Sequence, residues 1–367
     1  MSRFEDKTVP GHGRRVWLSR LVRLGVCLLA VAWLYRATDW QEIRNTLANV
    51  NWRIALLGLL VFGPAPVLIG VRLKWLLAVH DIHLSIWKAL KFTFVSNFLI
   101  HALPLGTSGG DALKAWYVAR ETPHKHEAVT TVFIDRVVGV VGLVLLSGLM
   151  VVINWNNPAM ASWGEAALAK PWMKVLSPRG LIGLLLAGMV LGGAVYFSRW
   201  TRRVLRLEQI LARLPLAHHL QRLDQAVFEF RNHRRRVLAC LFLAMVLQIW
   251  SVMSVFLSGW ALGMVSAHPW RDFAVYLAYT PICFLCGALP LGVMEVIYVQ
   301  LFARAAKAGT EAAAVSLSLM SRLIQLVWAL PGGLAILTGQ VSLQPPPTPA
   351  DIPSETSENS TEASVQI

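Results

Sequence analysis

Residues Phe92 to Leu103 make a mostly apolar segment that stops too soon. Twelve residues give roughly 18 Å of helix at 1.5 Å per residue, against a hydrocarbon core of ~30 Å. Pro104 ends the segment, because it lacks an N–H and biases Leu103 away from helical backbone. Gly106, Gly109 and Gly110 then permit a tight reversal. Asp111 opens a returning segment to Ala119, where a carboxylate suits a helix N-terminus. Irregular backbone at membrane depth survives only when buried in protein or facing a wet cavity. The stretch predicts a re-entrant helical hairpin over 92–119 with its tip near the midplane. The alternative is a loop at the membrane surface.

A second copy of the stretch follows. Leu289-Pro290-Leu291-Gly292 repeats Leu103-Pro104-Leu105-Gly106. An acid comes soon after each, Asp111 and Glu295, and an arginine nine residues later, Arg120 and Arg304. Asp135-Arg136 then opens one apolar span and Ser321-Arg322 another. Acid and span arginine are 25 residues apart in the first copy (136 − 111) and 27 in the second (322 − 295). The shared order argues for an internal repeat, with a second hairpin over 273–307.

The remaining chain is that of a membrane protein. Hydrophobic residues make up 56%, charged residues 15%, and mean hydropathy is +0.54; soluble domains carry about 25% charged residues. A formal charge of +14 is accounted for by basic cytoplasmic loops, so it does not argue for nucleic acid. Cys283 and Cys286 have the spacing of a metal or redox pair, but no second pair accompanies them; they read as small membrane residues. No metal or cofactor is implied.

Taken in order, 1–15 is a basic cytoplasmic arm and 16–153 a first membrane repeat. An external loop spans 154–179, a second repeat 180–339, and a Pro-, Ser-, Thr- and Glu-rich tail 340–367 reads as disordered. Apolar spans are expected at Val16–Tyr35, Arg53–Leu77, Ala128–Ile153, Leu181–Phe197, Val237–Leu262 and Ala314–Leu337. The second is interrupted by Gly63-Pro64-Ala65-Pro66, hence kinked or broken. Arg72 and Lys74 near its exit read either as snorkelling cations or as a basic mouth for an anionic headgroup. The loop 199–236 holds ten Arg with leucines at near-helical spacing, as in an amphipathic helix on an anionic leaflet.

With the arm, the basic loop and the tail inside, the expected fold is an all-α polytopic membrane protein. It has two inverted repeats, about six full spans and two re-entrant hairpins entering from opposite faces. Both termini are cytoplasmic, in the cell (inner or plasma) membrane. That is the organisation of transporters whose broken elements meet at mid-membrane.

Arg136 and Arg322 each lie eight residues into their spans, roughly 12 Å deep. Such arginines are costly and face a bundle interior or cavity. Either they close ion pairs, Arg136 with Asp111 or Asp135 and Arg322 with Glu295, or they lend charge to an anionic substrate, for which a guanidinium fork favours phosphate.

Asn97, Leu103-Pro104, Gly109-Gly110-Asp111-Ala112 and Asp135-Arg136-Val137-Val138-Gly139, with the later Pro-Gly-Glu hairpin, resemble a flippase-like integral membrane family. That family includes the transmembrane region of lysylphosphatidylglycerol synthase and membrane proteins linked to polyprenyl-glycolipid and hopanoid pathways. The resemblance covers about Val16 to Gly339 and implies lipid translocation. Candidate substrate-binding residues are Asn97, Pro104, Gly109, Gly110, Asp111, Lys114, Asp135, Arg136, Pro290, Gly292, Glu295 and Arg322.

The leading function is a flippase for an anionic or aminoacylated phospholipid or a polyprenyl-linked lipid. An embedded lipid-modifying transferase is the alternative, with Asp111 or Asp135 as base or cation ligand, although no nucleophile–base constellation appears and no aminoacyl-transfer domain is expected. The third reading is a non-catalytic partner of an envelope-biosynthesis enzyme. Expected partners are membrane lipids, with a second copy of the chain or such an enzyme beside it.

Overall fold

The structure is a computed structural model, and it describes residues 40–102, 106–154, 180, 183–189, 230, 233–286, 293–303 and 311–338. Most of these residues are helical, with no strand among them. The helices are α1 (Trp40–Ala48), α2 (Trp52–Phe62), α3 (Pro64–Leu77), α4 (Ile86–Ala102), α5 (Gly106–Arg120), α6 (Lys125–Ile153), α7 (Arg234–Ala261), α8 (Pro269–Cys286), α9 (Val293–Tyr298) and α10 (Glu311–Leu337). Four stretches are long and apolar enough to cross a bilayer: Trp52–His80, Lys125–Ile153, Arg234–Ala261 and Glu311–Leu337. Of the two other expected spans, Val16–Tyr35 lies outside the described residues, and Leu181–Phe197 is described at 183–189, which is helical.

Local chemistry sets the boundaries. Asn51 caps α2, its side-chain oxygen accepting from the N–H groups of Arg53 and Ile54 at 3.2 and 3.5 Å, a role short polar residues fill well. Gly63 ends α2, and Pro64 takes the first position of α3, where its missing N–H costs nothing. The chain leaves α3 through a short 3₁₀ turn, Ala78–His80, and a left-handed Asp81.

α4 and α5 form an antiparallel hairpin. Lys88 and Glu121 pair at its base, 2.5 Å apart, and Phe92 stacks on Tyr117 with centroids 5.4 Å apart. Near the tip the Ser96 hydroxyl donates to the Gly110 carbonyl at 2.9 Å. Arms of 17 and 15 residues span about 25 and 22 Å, short of a bilayer. The expected turn is displaced: Gly106, Gly109 and Gly110 lie in the first turns of α5, which begins at Gly106 and not at Asp111. Gly110 serves close approach, since a Cβ there would stand 2.8 Å from the Ser96 carbonyl and clash with Ile100.

α7 runs antiparallel to α2–α3. At one end the Asn51 N–H donates to the Ala261 carbonyl at 3.0 Å; at the other, Arg236 Nη1 donates to the Ala78 carbonyl at 2.6 Å. Between them the Ser254 hydroxyl donates to the Gly58 carbonyl at 2.7 Å. The chain therefore leaves α3 at one end of this pair and α7 at the other, and α4 and α8 start from opposite ends.

The arms then cross over. α4 packs on α10, and α8 packs on α6. On the first seam Gly332 lies against the Phe94 carbonyl and Gly333 against the Phe98 ring. On the second the Ser147 hydroxyl donates to the Ala278 carbonyl at 2.6 Å. Small residues at helix contacts are how apolar helices associate without a hydrophobic driving force. The largest buried side chains, Tyr276, Tyr279, Tyr298 and Phe302, lie where α8, α9 and α10 meet α6 and α7. Trp52, Trp87 and Trp270, all exposed, open α2, α4 and α8, as interfacial aromatics do.

Candidate functional site

Asp135 and Arg136 are neighbours on α6, so their side chains leave the helix about 100° apart and serve different surroundings. Asp111 and Lys114 are three apart on α5 and share a face. The two helices meet through two charged contacts. Lys114 Nζ stands 3.1 Å from Asp135 Oδ2, and Arg136 donates from Nε to Asp111 at 2.6 Å, with its Nη2 2.5 Å away. Both Arg136 contacts end on the same oxygen, Oδ2 of Asp111.

A third helix completes the Asp135 contact. Arg72 on α3 donates from Nε to Asp135 Oδ1 at 2.6 Å. One carboxylate thus divides its oxygens between an arginine and a lysine, and all three residues are buried. The Arg136–Asp111 pair is open by contrast, with side chains 45% and 27% exposed.

Arg72 was not among the expected site residues. Of the pair read together at the exit of the second span, Lys74 is exposed as a snorkelling cation is, but Arg72 turns inward to Asp135. The available signal was a basic residue followed by five further helical residues.

Arg322 lies on α10 at the same offset that Arg136 has on α6. Each lies eleven residues beyond the first residue of its helix (136 − 125 and 322 − 311), roughly 16 Å along it and about half of a ~30 Å core. The helices begin at Lys125 and Glu311, three residues before the expected starts, and so set both arginines deeper. The charge of Arg322 is felt at His101, near the end of α4, and at Tyr298, at the end of α9. Tyr298 also lies beside Ser321.

The remaining expected residues fall as follows. Gly109 and Gly110 lie in α5, Gly110 against Ser96, and Asn97 is half-buried on α4, one position along from Ser96. Glu295 lies in α9, but its side chain is outside the described residues, as are Pro104, Pro290 and Gly292. Among the described residues no three His, Cys, Asp or Glu side chains gather as a metal site would require.

The family described as the lysylphosphatidylglycerol synthase TM region matches residues 20–332. The chain belongs to that family. The matched region takes in all four candidate spans, up to the Pro331-Gly332 step of α10. Membership and the apolar helices together make this a membrane protein tied to lipid metabolism or transport. No curated protein and no solved structure gives a significant match to the chain.

Proposed function

We propose that this chain moves an anionic lipid between leaflets, a phospholipid or polyprenyl-linked lipid with or without an aminoacyl group. The observation that carries this reading is the half-open Arg136–Asp111 pair. An arginine halfway along a span, with 45% of its side chain exposed, is tolerated where it faces a wet cavity and not acyl chains. A charge kept available there suits a phosphate headgroup. Asp111 is the counter-charge while the site is empty, and it reads a cationic group such as an aminoacyl amine when one is present. Arg322 plays the same part in the second half.

The packing supports two inverted halves with re-entrant hairpins. The first arms α4 and α8 start from opposite ends of the α2–α3/α7 pair, and each rests on the other half's trailing helix, α10 and α6. In inverted-repeat transporters broken elements of this kind meet around a central site that opens alternately to each side. The reading carries with it a cell-membrane location with cytoplasmic termini, and membrane lipids as partners.

The test is reconstitution of the full chain in proteoliposomes with fluorescent lipids that differ only in headgroup. Faster leaflet exchange of anionic or aminoacylated lipids, lost in Arg136→Gln, is expected. Exchange no faster than in protein-free vesicles for every headgroup would overturn the proposal.

A further inference from the structure

The contact built on Asp135 holds more donors than it uses. Arg72 has five N–H donors and Lys114 three; each places one on Asp135. Among the described residues Asp135 is the one acceptor that meets either side chain. Both side chains are enclosed, 7% and 5% exposed. Two cations on one carboxylate leave a single net positive charge. At this burial an unmatched charge is costly, and an ionisable group at membrane depth marks function by default.

The terminal nitrogens of Arg72 lie against bare backbone and not against a bulky side chain. Gly139, one turn beyond Asp135 on α6, faces the two terminal nitrogens of Arg72, and a Cβ built there would stand 3.5 Å from each.

The geometry points to a phosphate-binding site at Arg72 and Lys114, separate from the Arg136–Asp111 pair. The terminal nitrogens of Arg72 offer a fork to two phosphate oxygens, and Lys114 supplies a point charge. Asp135 is the positioning residue: it holds the two cations together and trims their charge to one. That balance matches a phosphodiester, which carries one negative charge, better than free phosphate or a monoester, which carries nearer two. The chemistry is shared by a lipid headgroup and by the free ion, and the charge balance favours the lipid. As a phosphate site it stands on this geometry alone; as a station on a translocation route it rests on the transport reading.

The full chain, purified in an uncharged phosphate-free detergent, is titrated with dihexanoyl-phosphatidylglycerol and, separately, with inorganic phosphate, using chloride at matched ionic strength as blank. Calorimetry reads the affinity. Saturable binding of the lipid is expected, weakened at least tenfold in Lys114→Gln, which leaves a neutral Arg72–Asp135 pair. Arg72→Lys keeps the charge, lacks the fork, and should weaken binding several-fold. Lys88→Gln, at the exposed base of the hairpin, removes the same charge and should leave the affinity within twofold. If Lys114→Gln does not accumulate, Arg72→Lys decides. Lys114-dependent binding of inorganic phosphate alone would keep the site and overturn the lipid as its ligand. No saturable binding of either probe, or unchanged affinity in the variants, would overturn the site. Lys114-dependent lipid binding in a protein that moves no lipid in proteoliposomes would instead sink the transport reading and leave the site standing.

Discussion

Arg136 brings two guanidinium nitrogens onto one oxygen of Asp111, 25 positions earlier in the chain, and the pair stays open on one side. That openness decides what its loss does. Sealed ion pairs leave a penalty of about 3–5 kcal/mol when one partner is removed; exposed pairs contribute about 0.2–1 kcal/mol. With side chains 45% and 27% exposed, Arg136→Gln should sit near the lower range. Its yield in membranes should approach wild type while lipid movement is lost. Arg136→Lys should recover little transport, because a point charge lacks the fork. An abundant Arg136→Gln protein with normal transport would remove this residue from the headgroup role.

Asp135 should behave in the opposite way. Its carboxylate balances two enclosed cations, so Asp135→Asn leaves both uncompensated, at about 3–5 kcal/mol. Arg72→Gln and Lys114→Gln each leave a neutral pair and should cost less. The ordering of unfolding midpoints in detergent checks this: Asp135→Asn lowest, the two cation variants between it and wild type. An Asp135→Asn protein as stable as Lys114→Gln would show that the carboxylate does not balance both.

These two acids show where sequence reasoning reaches and where it stops. The Asp111–Arg136 contact is legible because both residues sit at matched offsets in two copies, and Asp111 was one of two partners the spacing allowed. The choice between Asp111 and Asp135 was not, because it depends on which face of α6 meets α5. The partner of Asp135 was further out of reach: Arg72 lies 63 positions away on α3, and only the packing of α3 on α6 brings it in. The Gly63-Pro64 break is legible because a proline fits the first position of a helix and disrupts its interior. The glycines after Pro104 misled, since glycine marks both turns and close backbone approach; at Gly110 the neighbouring Ser96 and Ile100 settle it for approach.

The glycine contacts give a graded test of the packing. Gly332 has no room for a Cβ beside the Phe94 carbonyl, and a Cβ at Gly110 would stand 2.8 Å from the Ser96 carbonyl. Overpacking of this kind costs about 1–3 kcal/mol, so Gly332→Ala and Gly110→Ala should each lower the unfolding midpoint. At Gly139 the nearest atoms stand 3.5 Å from an added Cβ, ordinary contact, and Gly139→Ala should unfold with wild type. Equal midpoints for all three would contradict the close seams between α4 and α10 and between α4 and α5.

The inverted arrangement makes its sharpest claim at two tryptophans. Trp87 and Trp270 are each the second residue of a first arm, and their exposures are 76% and 82%. α4 starts near the Ala78–Arg236 contact and α8 near the Asn51–Ala261 contact, at opposite ends of the α2–α3/α7 pair. If those ends lie at opposite membrane faces, single cysteines at the two positions, in a chain whose four native cysteines are replaced, must label from opposite sides. With the Arg-rich loop 199–236 inside, Trp87→Cys should react with a membrane-impermeant thiol reagent only in inside-out vesicles, and Trp270→Cys only in intact cells. Both are exposed in the folded chain, so silence from either would not come from burial. Labelling of both from one side would mean that the hairpins enter together, and the two halves could not then exchange roles across the membrane.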